Sequence, residues 1–397
     1  MASENDTHQQ TKLGEVVPDS ELTDESDGKT EITDLVEQYL VSKQTTGSKA
    51  YAESAKSVLH RWAGWMKSRD YEISILENPQ EGPRVLNEYA LQLAKRVQND
   101  SLSPATAERY FAYVSACLSF GVRQAYLKRN PALTDAATEN LPEQSRSDRT
   151  HQQFWSPEQR KAIVGFVDEQ VKSDASEGSS DRLIHVRNQA LVRVLAYSGV
   201  RGAEILSHPK DDRDGRRGLQ WKNIDFEAGT MLVFGKSQSW ERTPLPTKCS
   251  GALRELKKVL DPPSEEWPVF TTGHRPSLYG VARDALGEQY DRSLAEMSGD
   301  IWALLRTERI QPPALTTGGA RKVMQQLTKQ ADILVKDGYL KLHGGRRGLG
   351  DLLYRQDRGH AQDILRHKDL ATTQSAYQHI DAEERRAQLD THLEEQE

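Results

Sequence analysis

The 397-residue sequence has little of what would hold it together or carry chemistry outside a packed interior. It has two cysteines, Cys117 and Cys249, far apart in the chain. A disulfide framework and a paired-cysteine zinc site are therefore excluded, and a reducing, cytoplasmic setting fits. No run of about 18 apolar residues occurs, so no transmembrane helix and no membrane partner are expected. The opening MASENDTHQQ lacks the basic start and apolar stretch of a secretory signal. The sequence has no G-x-x-x-x-G-K-[ST] phosphate loop and no G-x-S-x-G elbow. His343, His360, His367 and His379 fall within forty residues, but without H-E-x-x-H or a cysteine pair. Neither a metal nor a cofactor is expected.

Positive charge is also scarce, and the formal net charge is −6. Its distribution matters more than its sum. Residues 1–31 hold nine acids and two lysines, and residues 381–397 hold seven acids and two arginines, so the body between them carries +6. Acidic ends around a mildly basic body permit a nucleic-acid partner without requiring one.

At roughly 100–200 residues per domain the length suggests two domains. Residues 1–31 are acidic and poor in large apolar side chains, the composition of a disordered tail. From 32 to 130 the apolar residues recur at helical spacing. Ser48 is a candidate cap for a helix whose stripe is Tyr51, Ala55, Val58, Leu59, Trp62 and Met66. Ser103 and Pro104 form a helix start for a segment continuing through Tyr110, Val114, Cys117 and Leu118. No strand-like alternation occurs there, so this part is read as all-helical. Residues 131–154, rich in Pro, Ser, Thr, Asn and Gln, read as a linker. A second domain over 155–380 opens with a capping box at Ser156 and Gln159. In it Ile224, Phe226, Met231 and Val233 around Ala228–Gly229 predict a β-hairpin, a further strand is expected over 240–245, and helices follow. Residues 273–312 have weak periodicity and receive no assignment.

Several polar residues sit at breaks in apolar elements. Arg201 follows AYSGV; it is either a paired structural charge or a group aimed at an anion. Lys236 follows MLVFG, as a solvated turn residue or a mobile proton donor. In LKLHGGRRGLGDLLYR, His343 and Arg346 are three apart and share a face if the segment is helical. They would suit phosphate, with the glycines allowing close approach, or form a plain basic helix start. His367 and Tyr377 each read alone as a helix-end residue and a core aromatic.

Taken in order, SGVRGAEIL, VFGKSQSWERTPLP, HGGRR and LRHKDLATTQSAYQHI resemble the motifs of the tyrosine recombinases, the phage-integrase family, and YLKLHGGRRGLGDLLYR resembles an archaeal branch of it. The resemblance covers about 350 residues. It implies a mainly α fold with a small β-hairpin or sheet, in the two-domain architecture of a helical core-binding domain and a mixed α/β catalytic domain. It also implies metal- and ATP-independent site-specific cutting and rejoining of double-stranded DNA through a 3′-phosphotyrosyl intermediate, in the nucleoid, by a chain that is a homotetramer on DNA or a monomer when free. The catalytic residues would be Arg201, Lys236, His343, Arg346, His367 and Tyr377, with Glu204 orienting an arginine. Arg109 and Arg123 would contact DNA, and residues 381–397 would form a docking helix or an acidic tail. Two departures stand out. Arg366 occupies a position where the family usually has glycine, and the interval from His367 to Tyr377 is one residue longer than usual, with Tyr354 as the nearby rival nucleophile. The competing readings are a type IB topoisomerase, with the same chemistry but no strand exchange, and a DNA-binding protein that has lost cleavage.

Overall fold

The computed structural model describes residues 31–46, 49–142, 152–174, 180–209, 211, 213–336 and 338–366, and toward the C-terminus residues 371, 373, 374, 376, 377, 380 and 386. The expected tail up to residue 30, the cap Ser48, His367, and all of the expected docking helix except Arg386 lie outside the described residues. The chain divides into two compact units, one built on Tyr51–Glu143 with the segment before Ser48, the other on Gln144–Glu397.

The first unit consists of α1 (Ile32–Thr46), α2 (Lys49–Lys67), α3 (Glu81–Gln98) and α4 (Pro104–Arg123). The apolar stripe of α2 turns inward: Ala55, Val58, Leu59, Trp62 and Met66 are buried, with Leu35, Val36 and Tyr39 of α1, Leu86 of α3 and Val114 and Leu118 of α4. Ser103 starts α4 as expected, its hydroxyl accepting from the Thr106 amide at 3.3 Å, with Pro104 in the first turn, where no amide donor is needed.

Residues 131–142, expected in the linker, are ordered against this unit instead. They form a 3₁₀ turn (Pro131–Leu133) and a short helix, α5 (Asp135–Thr138), that bury Pro131, Ala132 and Ala137. Asn130 accepts from the Ala132 amide and donates to Ser119, while Asn140 donates to Asn87 of α3 at 2.7 Å. A few small apolar groups fixed by asparagine side chains leave no periodic pattern, and so composition alone read the segment as linker.

The second unit begins with α6 (Pro157–Ser173), which carries the expected capping box at Ser156 and Gln159. Its central element is α7 (Ser180–Tyr197), buried on nearly all sides through Val186, Ala190, Leu191, Val194 and Leu195. A helix apolar over so much of its surface needs neighbours all round. It has them in α6, in α9 (Thr247–Leu260) and in α14 (Leu342–Gln356). Between α7 and α9 lie the one-turn helix α8 (Gly202–Ile205) and an antiparallel sheet in the order β1 (Ile224–Asp225), β2 (Thr230–Phe234), β3 (Trp240–Pro244). Met231 and Val233 point into the core, and Val233 pairs with Glu241 and Phe234 with Trp240.

Residues 273–312 form three short helices, α10 (Arg275–Leu286), α11 (Tyr290–Glu296) and α12 (Ile301–Thr307). Each contributes only a few core residues, among them Leu278, Tyr290, Ile301 and Leu305. Left-handed Gly287 and Gly299 break the phase between them, which explains the weak periodicity. The helix α13 (Thr317–Gln330) is capped by Thr316, and α14 is followed by α15 (Arg358–Leu365). No helix among the described residues is long and apolar enough to cross a membrane.

Trp155 ties the start of this unit to α14. Its ring is buried, its indole N–H donates to the Lys341 carbonyl at 3.0 Å, and its amide donates to Gly344. Trp155→Ala is expected to destabilise the unit by about 3–5 kcal/mol, seen as a lower urea midpoint; an unchanged midpoint would show that the indole is not a packing anchor.

Candidate active site

Three chain breaks meet beside α7. The first is the turn after it, where left-handed Gly199 (φ 70°) redirects the chain and Arg201 becomes the N-cap of α8. Glu204, three residues on, is buried. One of its carboxylate oxygens accepts from the Arg201 amide at 2.8 Å, and the other accepts from the Arg201 guanidinium at 2.8 Å. Burial by itself would raise the Glu204 pKa, but Arg366 and then Arg201 outweigh it and hold the carboxyl below its ordinary value. Arg201 keeps a quarter of its side chain (24%) exposed and so can still meet a ligand.

The second break is the N-terminal half of α14, where His343 and Arg346 share a face as predicted. Arg346 is 2% exposed and donates to the carbonyls of Gly199 and Leu365, pinning the Arg201 turn and the end of α15 to one helix. Burial, then Arg201, lowers its pKa to about 10, so it remains a cation at neutral pH. His343 is exposed to solvent, yet its imidazolium is disfavoured by its surroundings. The surrounding protein, then Arg347, Arg346 and Arg201, push its pKa down to about 4, which leaves a neutral imidazole at pH 7.

The glycines of HGGRRGLG do not open the backbone to a ligand, as the sequence suggested. A Cβ on Gly344 or Gly348 would overlap Trp155, and one on Gly345 would overlap the Leu195 carbonyl of α7. They let α14 lie close to its protein neighbours.

The third break is the C-terminal segment. Tyr377 is 2% exposed, with its ring against Tyr354 (centroids 5.3 Å apart) and Phe154 (6.2 Å). Tyr354, the rival tyrosine, is itself buried as the packing partner of Tyr377. The Tyr377 hydroxyl abuts Gly350, where any Cβ would overlap it. Gly350 is one helical turn beyond Arg346 and on the same face of α14, so the phenol is berthed next to the arginine. Burial raises its pKa to about 12, against an opposing pull from Arg346. Arg201, Glu204, His343, Arg346 and Tyr377 are thus brought together, whereas His367 lies outside the described residues. Lys236 is exposed in the turn between β2 and β3.

Sequence reasoning passed over three charged residues at this site. Arg366, left-handed (φ 53°) and 11% exposed, bonds Glu204 at 2.6 Å and Glu241 of β3 at 3.0 Å. Arg216 donates to the carbonyls of Ala203 at 3.0 Å and Gly235 at 2.9 Å. The only signal in the sequence was Arg366 in a position where the family usually has glycine; nothing marked Glu241 or Arg216. In the first unit, Arg109 and Arg123 of α4 are both exposed. The same unit has a cavity of about 380 Å³ lined by Arg61, Arg69, Arg96, Trp65, Tyr89 and Tyr110. The i, i+4 spacing of Arg61, Trp65 and Arg69 could have drawn attention to it. Among the described residues no group of three or more His, Cys, Asp or Glu could hold a metal ion.

The depressed His343 pKa has a consequence for stability. Its contribution is fully present above the ordinary value of about 6.5 and is lost as pH falls toward 4. A proton NMR titration is expected to show one imidazole, absent in His343→Gln, with a midpoint near 4; a midpoint near 6.5 would rule out the crowded site. Gly350→Ala is expected to push Tyr377 from its berth. An overlap costing about 1–3 kcal/mol raises the open population roughly 5- to 150-fold, and proteolysis follows that population. Trypsin should then cut at Arg366 and beyond correspondingly faster, and equal rates would refute the berth.

Comparison with known proteins gives the family and the fold. The model described as the phage integrase family matches residues 166–384. The tyrosine recombinase XerC of Halalkalibacterium halodurans is 23% identical over 293 residues, covering 72% of this chain and 75% of that protein. The XerC of Xylella fastidiosa is 25% identical over 202 residues, and the match spans about half of each chain (51% and 51%). Among solved structures, the XerH site-specific recombinase in a post-cleavage complex with palindromic difH has a TM-score of 0.55 at 16% identity, over 89% of this chain and 82% of its own. The Tn1549 transposon integrase with circular intermediate DNA has a TM-score of 0.54 at 13% identity, over 87% and 95%. These structures share the fold of this chain. The family model spans more than half of the sequence, and the chain belongs to the phage integrase family, the tyrosine site-specific recombinases.

Proposed function

We propose that the chain cuts and rejoins duplex DNA at a specific site through Tyr377, with Arg201, Lys236, His343, Arg346 and His367 as the assisting groups. The observation that carries this reading is the berth of the Tyr377 hydroxyl one helical turn from buried Arg346, in the same cluster as Arg201 and His343.

The phenolic oxygen of Tyr377 attacks the scissile phosphorus, the bond from phosphorus to the 5′-oxygen breaks, and a 3′-phosphotyrosyl link forms. The attacking proton passes to neutral His343, and the leaving 5′-oxygen takes a proton from Lys236. Arg201 and the unused donors of Arg346 hold the non-bridging oxygens, with His367 as a further donor. Preorganised donors of this kind contribute about 3–4 kcal/mol each. The covalent link conserves the phosphodiester energy, so that rejoining needs no nucleotide. A buried phenol with a pKa near 12 is a resting nucleophile. Binding DNA must lift it from Gly350 toward the phosphate, which keeps the free protein from cutting at random.

DNA contacts from Arg109 and Arg123 make binding salt-sensitive. Assembly as a tetramer on DNA, docking through residues 381–397 and residence on the nucleoid belong to the same proposal. The XerC relatives named above are bacterial, and likeness to an archaeal branch rests on YLKLHGGRRGLGDLLYR alone.

The decisive test recovers covalent protein–DNA adducts from cells, maps the attached sequence and rebuilds it as a nicked duplex that traps the intermediate. Wild-type protein is expected to form the adduct and Tyr377→Phe none, while Arg346→Ala slows single-turnover cleavage about 10²- to 10³-fold. An adduct persisting in Tyr377→Phe would reassign the nucleophile, and no adduct from wild type would leave a binding protein. Relaxation of supercoiled plasmid lacking the mapped site would favour a topoisomerase.

A further inference from the structure

The chain of charges Arg201, Glu204, Arg366 and Glu241 alternates in sign and runs from the phosphate-facing turn to the hairpin that carries Lys236. Each link is short: Arg201 to Glu204 at 2.8 Å, Arg366 to Glu204 at 2.6 Å, and Arg366 to Glu241 at 3.0 Å. Glu241 is the second residue of β3 and stands opposite Val233. Its second oxygen accepts from Ser237 inside the turn, and Gly235 leaves it room, since a Cβ there would overlap the carboxylate. Arg216 holds the same turn from the other side. Its guanidinium joins the Ala203 carbonyl of α8 to the Gly235 carbonyl next to Lys236, and it lies over the Phe234 ring at 5.1 Å. Gln238, left-handed at the tip, accepts from Arg213 at 3.0 Å. The backbone around Lys236 is therefore fixed on two sides while its own side chain stays exposed.

We propose that Arg366 and Glu241, backed by Arg216, are positioning residues that clasp the Lys236 turn against Arg201, so that the leaving-group acid is held where it can reach the 5′-oxygen. The inference rests on the recombinase reading above and adds residues to its site. A lysine at a turn tip has a long flexible reach. Without a fixed base its ammonium samples many positions, and a proton donor contributes only within hydrogen-bond reach of the leaving atom. Arg366 is also the last residue of the turn that ends α15, directly before His367, and Arg346 holds the preceding Leu365 carbonyl. The end of α15 and the hairpin are thus joined through one side chain. Arg366 takes a left-handed backbone (φ 53°) and from it reaches both carboxylates.

The test separates leaving-group protonation from phosphate grip. Single-turnover adduct formation is measured on the nicked duplex described above, with either the natural 5′-oxygen bridge or a 5′-sulfur bridge at the scissile phosphate. A thiolate departs without a proton, so the sulfur substrate does not need Lys236. Arg366→Gly and Glu241→Gln are expected to slow cleavage of the oxygen substrate about 10²-fold, within the range typical of lost acid–base catalysis, with DNA affinity unchanged. The sulfur substrate should restore both to within a few-fold of wild type, as it restores Lys236→Ala. Hydrogen exchange at 235–241 should also rise in both variants. Equal losses on the two substrates, or unchanged rates and exchange, would overturn the clasp. Should Arg366→Gly unfold, Glu241→Gln decides alone, because it leaves the Arg366–Glu204 pair in place. No rescue of Lys236→Ala by sulfur would also overturn the clasp, and failure of wild type to form any adduct would overturn the recombinase reading with it.

Discussion

The site depends on one buried carboxylate. Glu204 lies in a crowd of guanidinium groups, receiving Arg201 on one side and Arg366 on the other, with Arg346 close enough to feel its charge. Like charges in a buried cluster repel strongly, and desolvation penalises each of them. A single anion accepting several charge-assisted hydrogen bonds offsets both costs and fixes the geometry of the cations around it. Removing one partner from such a buried arrangement typically costs about 3–5 kcal/mol, most of it the penalty of the charge left behind. The carboxylate thereby makes it affordable to hold positive groups near one another before any phosphate arrives.

The same crowding sets the protonation states. Desolvation first, and then three neighbouring arginines, keep His343 neutral where its ordinary pKa would leave it part-charged near pH 6.5. The tyrosine is held in the opposite condition. Buried against Gly350 and two aromatic rings, its phenol stays protonated and out of reach of solvent. In the proposed reaction, a phenol held this way beside a preformed cationic cluster would let the energy of DNA binding, rather than a chemical activator, start cleavage.

Helix packing makes this possible. The α14 helix meets α7 closely only because its glycines leave space for Trp155, for the Leu195 carbonyl and for the Tyr377 hydroxyl. The residue type that looked like a phosphate-approach device in the sequence is used to bring protein elements together. The catalytic candidates then converge because Arg346 hydrogen-bonds the two chain turns on either side of it.

Much of the fold was legible in the sequence because it rests on local rules. The caps at Ser103 and Ser156, the inward stripe of α2 and the hairpin around Gly229 are each set by neighbours within a turn or two of chain. Motif order singled out Arg201, Lys236, His343, Arg346 and Tyr377 as candidates, and the fold gathers Arg201, His343, Arg346 and Tyr377 in one cluster. The helices of 273–312, the packing of 131–142 on α3 and the pairing of Arg366 with Glu204 and Glu241 were not legible. The last spans 162 residues of sequence on one side and 125 on the other. Periodicity and capping are properties of a short segment, and the residue types alone determine them. Which distant charge neutralises which, and which glycine receives which ring, is decided only when separate helices close on one another, because burial turns a weak surface attraction into a strong and exclusive one.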